Sequence, residues 1–199
     1  MMYHQHQSVA GYSLIEVLVA ISILLIAIVG PMTIASKGLQ NAQFAREQTQ
    51  ATFLAQEGLE LVLSYRDDAA LSNIDDVLSG GGGGASWDWI NDSDLNDCKA
   101  SAGCGIYFTS ATNISTVSCA VTDACVIYYD DTETGRNRYG HDLAAAPTQF
   151  QRVIEIDDSI LGCGSQCAMV RSTVTWSPQN FSTARTVVVE TYVYDIYDY

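Results

Sequence analysis

The sequence predicts an α+β protein: a long N-terminal helix, membrane-spanning in its first half, packs its second half against a C-terminal antiparallel sheet. Two stretches of sequence predict the helix. No charged residue occurs from Val17 to Ser36, and the following run from Lys37 to Arg66 lacks proline and is rich in helix-forming residues. The C-terminal part of the chain is rich in β-branched and aromatic residues, which predicts the strands. Closely spaced cysteines predict disulfide-stapled loops in between.

The uncharged stretch is long enough to cross a membrane. About twenty helical residues rise about 30 Å, which matches the hydrocarbon thickness of a bilayer. Residues 12–36 are therefore assigned to a transmembrane helix, and residues 37–68 to an amphipathic helix that continues from it. Within the first segment, Gly30 and Pro31 predict a helix break, either a kink or local melting, because proline removes a backbone hydrogen bond.

The amphipathic segment carries one apolar stripe, whose members recur every three, four or seven residues. The stripe consists of Phe44, Ala51, Leu54, Gly58, Leu61 and Tyr65. This spacing favours a helix packed on the protein's own globular domain. Lateral packing between subunits near the membrane is the alternative use of the same face.

Residues 69–199 are assigned to a globular domain that lies outside the cytoplasm. A short extra helix or an irregular turn is expected at 69–77, and the glycines at 80–84 predict a flexible surface loop. Strands are predicted at Ile106–Ser110, Val126–Tyr129, Arg152–Ile156, Met169–Trp176 and Thr186–Tyr194, the last three as an antiparallel sheet.

The cysteines occur as three close pairs, Cys98 with Cys104, Cys119 with Cys125, and Cys163 with Cys167. In an exported chain this pattern predicts local disulfides, although the sequence does not fix their connectivity. Zinc is the alternative, but the spacing of structural zinc ligands is met by the last pair alone. No metal and no cofactor are expected, and a calcium site among Asp92, Asp94, Asn96 and Asp97 is left open.

Charge and motif content argue against two broad classes of function. The net charge of -14 and the scattered basic residues give no basic patch, so binding to nucleic acid is not expected. His141 and Asp142 are adjacent, but no nucleophile motif accompanies them. The sequence therefore predicts a protein that is not an enzyme.

The strongest motif lies directly before the apolar stretch and reads Gly11-Tyr12-Ser13-Leu14-Ile15-Glu16. This segment resembles the class III signal of type IV prepilins and of the pseudopilins of type II secretion. The resemblance implies that residues 1–11 are a leader, which a prepilin peptidase removes by cutting between Gly11 and Tyr12. It also implies methylation of the new amino terminus at Tyr12. A conventional secretory signal cleaved after Ala35 is the competing interpretation.

Glu16 poses a physical problem, because an unpaired carboxylate at the edge of an apolar span costs at least a few kcal/mol. The resemblance implies that its partner is the amino group bared at Tyr12 of a neighbouring subunit. The local alternative is a capping box, in which the side chains of Ser13 and Glu16 satisfy amides at the helix start.

The resemblance implies a pilin-like lollipop fold and a role as a minor structural subunit of a type IV pilus or pseudopilus. Ala55–Gly58 and the C-terminal strands also resemble minor members of the family. The implied partners are other pilin or pseudopilin subunits, prepilin peptidase, the inner-membrane assembly platform, and membrane lipid before assembly. The protein would cross the cytoplasmic membrane once. A signal-anchored extracytoplasmic binding or adhesion protein that does not polymerise is the alternative.

Overall fold

The computed structural model describes residues 11, 13–78, 89–91, 93–109, 114–131, 138–141, 145–160, 167–178 and 183–194. The chain divides into two compact units, Met1–Ala45 and Arg46–Tyr199. Helix α1, Leu14–Leu78, supplies nearly all of the described part of the first unit and also the first element of the second.

In the first unit, every described residue from Gly11 to Gln43 is exposed. This part of α1 contains the candidate membrane span, with a mean hydropathy of 2.7 in its most apolar window and no part of that window buried. Two of its hydroxyl groups bond back to the helix: Ser22 Oγ donates to the carbonyl of Leu18 at 2.8 Å, and Thr33 Oγ1 to that of Gly30 at 2.7 Å. These two hydroxyls are thus satisfied within the helix, as a lipid environment requires.

Helix α1 is more continuous than the sequence predicts. It runs through Gly30 and Pro31 without interruption, so no local melting is present there, and the kink stays a prediction. It also passes Asp68 and ends at Leu78, which corrects the predicted end and absorbs the short element expected at 69–77. The extension follows from packing, since Ala69 and Ala70 are both buried.

The described residues of the second unit form a seven-stranded sheet after the helix and three short helical turns. The turns are Trp89–Asn91, Ser93–Leu95 and α2, Asn96–Lys99. The strands are β1, Cys104–Phe108; β2, Ile114–Ser118; β3, Val126–Asp130; β4, Arg138–Gly140; β5, Ala146–Asp157; β6, Cys167–Trp176; and β7, Arg185–Tyr194. The structure therefore confirms the predicted α+β class and the three C-terminal strands.

Strand β5 organises the sheet, and all of the pairings are antiparallel. On one side β5 pairs with β6 along Phe150–Asp157, and β6 pairs with β7. On its other side β5 pairs with β1 at Ile154 and with β3 around Gln151. Strands β2 and β4 extend β1 and β3, respectively.

One face of the β5–β6 pair carries the core, as the alternation of buried and exposed residues in both strands shows. The helix contributes Leu54, Leu61 and Val62 to the core, consistent with the predicted apolar stripe. Gly58 permits a close approach of helix and sheet, because a Cβ there would lie 2.7 Å from both Ile154 Cδ1 and Ser172 Oγ. The helix–sheet contact is therefore tight at this glycine.

Two of the expected disulfides form among the described residues. Cys98 bonds to Cys104 and ties α2 to β1, and Cys119 bonds to Cys125 between β2 and β3. Cys167 is also disulfide-bonded. Cys163, its sequence neighbour, lies outside the described residues. The local pairing predicted for the first two cysteine pairs is confirmed.

Candidate processing and assembly site

The backbone around Ser13 fixes where helix α1 starts. The Ser13 carbonyl accepts hydrogen bonds from the amides of Glu16 at 3.0 Å and Val17 at 3.2 Å. Gly11, two residues earlier, is exposed, and a Cβ added there would meet nothing within 4 Å. The residue after the predicted cleavage position, Tyr12, lies outside the described residues. Gly11, the residue before the predicted cleavage position, is thus accessible to an enzyme.

Glu16 lies in the first turn of α1 with its side chain exposed. Among the described residues, no side-chain hydrogen bond joins Ser13 to Glu16, and the Glu16 carboxylate has no ion-pair partner. The reciprocal bonds of a capping box are therefore not formed here. The amino end of a helix still favours a carboxylate through its unsatisfied amides, typically by 0.3–1 kcal/mol.

A long uncharged stretch separates Glu16 from the next charged residue of the helix. The next charged residue is Lys37, about 30 Å further along the helix axis at the rise of an α-helix. Every residue between them is uncharged. When such a helix leaves water, the carboxylate needs a cation from another molecule or from its own amino terminus, because the rest of the span offers none.

A buried guanidinium in the second unit was not predicted from the sequence. Arg152 on β5 is 0% exposed and reaches across the core to the helix. Its Nη1 donates to the carbonyl of Leu54 at 3.1 Å and to Oε2 of Glu57 at 3.0 Å, and its Nη2 donates to the carbonyl of Ile106 at 2.8 Å. Burial lowers the pKa of Arg152, while the charge and hydrogen bond of Glu57 oppose that shift. The pair joins the helix to two strands.

His141 is also buried, at the end of β4. Its Nδ1 lies 2.9 Å from the carbonyl of Val126, so Nδ1 carries the proton and donates it. Burial, with a further contribution from the nearby Arg152 charge, lowers the pKa of His141 to about 4. Its sequence neighbour Asp142 lies outside the described residues. His141 is therefore a buried, neutral residue at pH 7.

The calcium alternative gains no support from the part of the chain that the structure describes. In that part, no group of three His, Cys, Asp or Glu side chains is placed to hold a metal ion. Asp94 accepts a hydrogen bond from Thr116 Oγ1 at 2.6 Å, but through its backbone carbonyl. Asp92 lies outside the described residues.

A long apolar N-terminal helix followed by a disulfide-stapled antiparallel sheet defines a membrane-anchored α+β protein. Comparison with protein-family models adds that residues 7–30 match the prokaryotic N-terminal methylation motif. The chain therefore carries the prepilin-type signal, followed by a long apolar N-terminal helix. Comparisons with curated proteins and with solved structures found no match.

Proposed function

We propose that this chain is a minor structural subunit of a type IV pilus or pseudopilus, processed between Gly11 and Tyr12 and polymerised through α1. One observation carries the proposal: Glu16, in the first turn of an exposed, apolar helix that bears the methylation motif, is a carboxylate with no ion-pair partner among the described residues. A helix of this kind has a use in a bundle of identical or similar helices, where a neighbour supplies the missing positive charge.

Leader removal would create that charge. Cleavage after Gly11 makes Tyr12 the first residue, and its amino group is a cation at neutral pH even when singly methylated. In a bundle that excludes water, the ammonium of one subunit and the Glu16 carboxylate of the next attract each other strongly and set the axial register of the helices. Apolar side chains of neighbouring subunits then replace lipid around each span.

The disulfides support an extracytoplasmic location for the second unit. Disulfides form and persist in oxidising compartments and are rare in the cytosol. The Cys98–Cys104 and Cys119–Cys125 bonds both lie C-terminal to the span. This location supports an orientation with the leader inside and the sheet outside, in which the leader would face the prepilin peptidase. Other pilins and an inner-membrane assembly platform are the remaining partners of this proposal.

Two measurements test the proposal. Intact mass of the protein from its host membranes should show loss of residues 1–11 and one added methyl group at Tyr12. The variant Glu16→Gln should be processed and folded but depleted from sheared filaments, whereas the matched control Glu60→Gln, an exposed carboxylate outside the apolar segment, should be incorporated normally.

The outcomes separate the proposal from its main rival. An intact leader would indicate a signal-anchored binding or adhesion protein that does not polymerise, and cleavage after Ala35 would indicate a conventional secretory signal. Normal filament incorporation of Glu16→Gln would remove the charge pair from the assembly mechanism.

A further inference from the structure

A cavity of about 410 Å³ opens in the second unit beside strands β1, β3 and β4. Four aromatic residues line it: Tyr107 and Phe108 from β1, Tyr128 from β3, and Tyr139 from β4. Its volume is within the range of pockets that hold small molecules, which runs from about 300 to 1,000 Å³. Ring faces carry the negative side of the aromatic quadrupole and suit flat ligands with polarised C–H groups.

Contacts behind the wall hold the rings in place. The Tyr139 hydroxyl accepts a hydrogen bond from Gln50 Nε2 of the helix at 2.7 Å, and its ring packs against Tyr129 with 5.1 Å between centroids. The Tyr107 ring meets His141 edge to face at 5.7 Å. His141 is itself fixed by its bond to the Val126 carbonyl. A wall that is already ordered loses little conformational freedom when a ligand binds.

One cationic and one acidic side chain line the cavity. Arg138 and Asp130 line it and face each other across the β3–β4 pairing. Asp130 takes part in another interaction, whereas the side chain of Arg138 forms no hydrogen bond or ion pair within the described part of the chain. His141 adds no charge at neutral pH because burial lowers its pKa to about 4. Among the described residues the Arg138 guanidinium therefore has no partner and is available to an anionic ligand, in a chain of net charge -14.

We propose that this cavity binds a small ligand that joins one carboxylate to a six-membered ring that can stack on aromatic side chains. Arg138 would take the carboxylate, since the planar guanidinium matches carboxylate geometry and can form two parallel hydrogen bonds. The rings of Tyr107, Phe108 and Tyr128 would cover the face of the ligand. Both uronic-acid sugars and aromatic acids have this chemistry. Binding does not require polymerisation, so the inference stands apart from the filament proposal.

The test uses the full chain in detergent micelles and four probes: glucuronate, benzoate, and their uncharged counterparts glucose and benzyl alcohol. Titration calorimetry, supported by saturation-transfer NMR, should find at least one acid that binds in the millimolar range or tighter, and at least about tenfold more tightly than its uncharged counterpart. Arg138→Gln should weaken that binding about tenfold or more, which corresponds to about 1.4 kcal/mol. Arg46→Gln is the matched control, because Arg46 is exposed and does not line the cavity, and it should bind as the parent chain does.

Each outcome decides the matter. Preference for glucuronate identifies a sugar acid, and preference for benzoate an aromatic acid; either result supports the inference. Equal binding of charged and uncharged probes, binding that survives Arg138→Gln, or no binding of either acid at about 50 mM overturns it. The comparison of charged with uncharged probes needs no variant, so a folding defect in Arg138→Gln would leave the test intact.

Discussion

Replacing Glu57 by glutamine should destabilise the second unit more than removing its buried partner, Arg152. Glutamine keeps an oxygen that can accept from Arg152 Nη1, now 3.0 Å from Glu57 Oε2, but it removes the negative charge. Hydrogen bonds to charged groups contribute about 1.5–3 kcal/mol and neutral ones about 0.5–1.5 kcal/mol. The Glu57 side chain is 41% exposed, so water recovers part of the loss for the remaining buried cation. We expect a loss of about 2 kcal/mol in the free energy of unfolding.

Arg152→Met should cost less, about 1 kcal/mol. Methionine fills much of the same volume without a charge to desolvate, and a buried ion pair replaced by apolar groups is often close to neutral. The Glu57 carboxylate, being partly exposed, can turn to water. The carbonyls of Leu54 and Ile106 lose a hydrogen-bond donor, but Leu54 lies within α1, where its carbonyl keeps a helical bond.

Equilibrium denaturation of the full chain in detergent micelles can measure both effects. Trp89 and Trp176 are 1% and 3% exposed, so their fluorescence reports loss of the core. Glu60→Gln is the control, because Glu60 is exposed on the same helix and should change stability by less than about 0.5 kcal/mol. If Glu57→Gln matched this control, or if Arg152→Met proved the more damaging change, the guanidinium would not depend on Glu57 as described. In Arg152→Met, NMR titration should also show the pKa of His141 rising, since the Arg152 charge helps to lower it.

Three further predictions concern packing, pH and redox state. Gly58→Ala should destabilise the second unit by about 1 kcal/mol, because an overpacking cost of about 1–3 kcal/mol exceeds the gain in helix propensity. Gly38→Ala is the control and should not destabilise the protein, because a Cβ at Gly38 would meet nothing within 4 Å. Equal denaturation midpoints for the two variants would argue against the close helix–sheet contact. His141 has a pKa of about 4 in the folded protein and near its ordinary 6.5 when unfolded, so the unfolded chain binds the extra proton in that window. Stability should be full above pH 6.5 and should fall by up to about 3 kcal/mol as the pH approaches 4, with a smaller fall in His141→Gln. Mild reductant should reduce Cys119–Cys125 before Cys98–Cys104, because Cys119 is half-buried whereas Cys98 and Cys104 are both buried. Alkylation of the freed thiols, mapped by mass spectrometry, would contradict this prediction if Cys98 and Cys104 were labelled first.

The parts of the fold that depend on local pattern could be predicted from the sequence. An uncharged run of helical length identifies the span, and alternation of β-branched residues identifies β5, β6 and β7. The stripe through Leu54 and Leu61 predicted the packed face of the helix because its spacing follows the helical repeat. Helix ends are less well determined: two consecutive aspartates suggested a stop, while burial of the alanines that follow extended α1 to Leu78.

The features that depend on distant pairings could not be predicted. Arginine is almost never fully buried without a partner, and nothing local in the sequence says that Arg152 meets Glu57 across the core. The cavity could not be predicted either, because it forms only when β1, β3 and β4 come together, and Arg138 and Asp130 are separated in sequence from Tyr107. A pattern that could have helped is the cationic residue at an inward-facing position of β5, between Phe150 and Ile154, where alternation calls for an apolar side chain.

The hydrogen bonds of Arg152 to helix α1 have a practical consequence for the design of a truncated, soluble form of this chain. A cut placed just before the sheet would discard Leu54 and Glu57, leaving a cation exposed in an opened core and stripping the groups that cover β5 and β6. Trimming at the boundary between Ala45 and Arg46 keeps the whole of the second unit. The second half of α1 is thus an integral part of the second unit. The shortest useful fragment therefore begins well before the first strand.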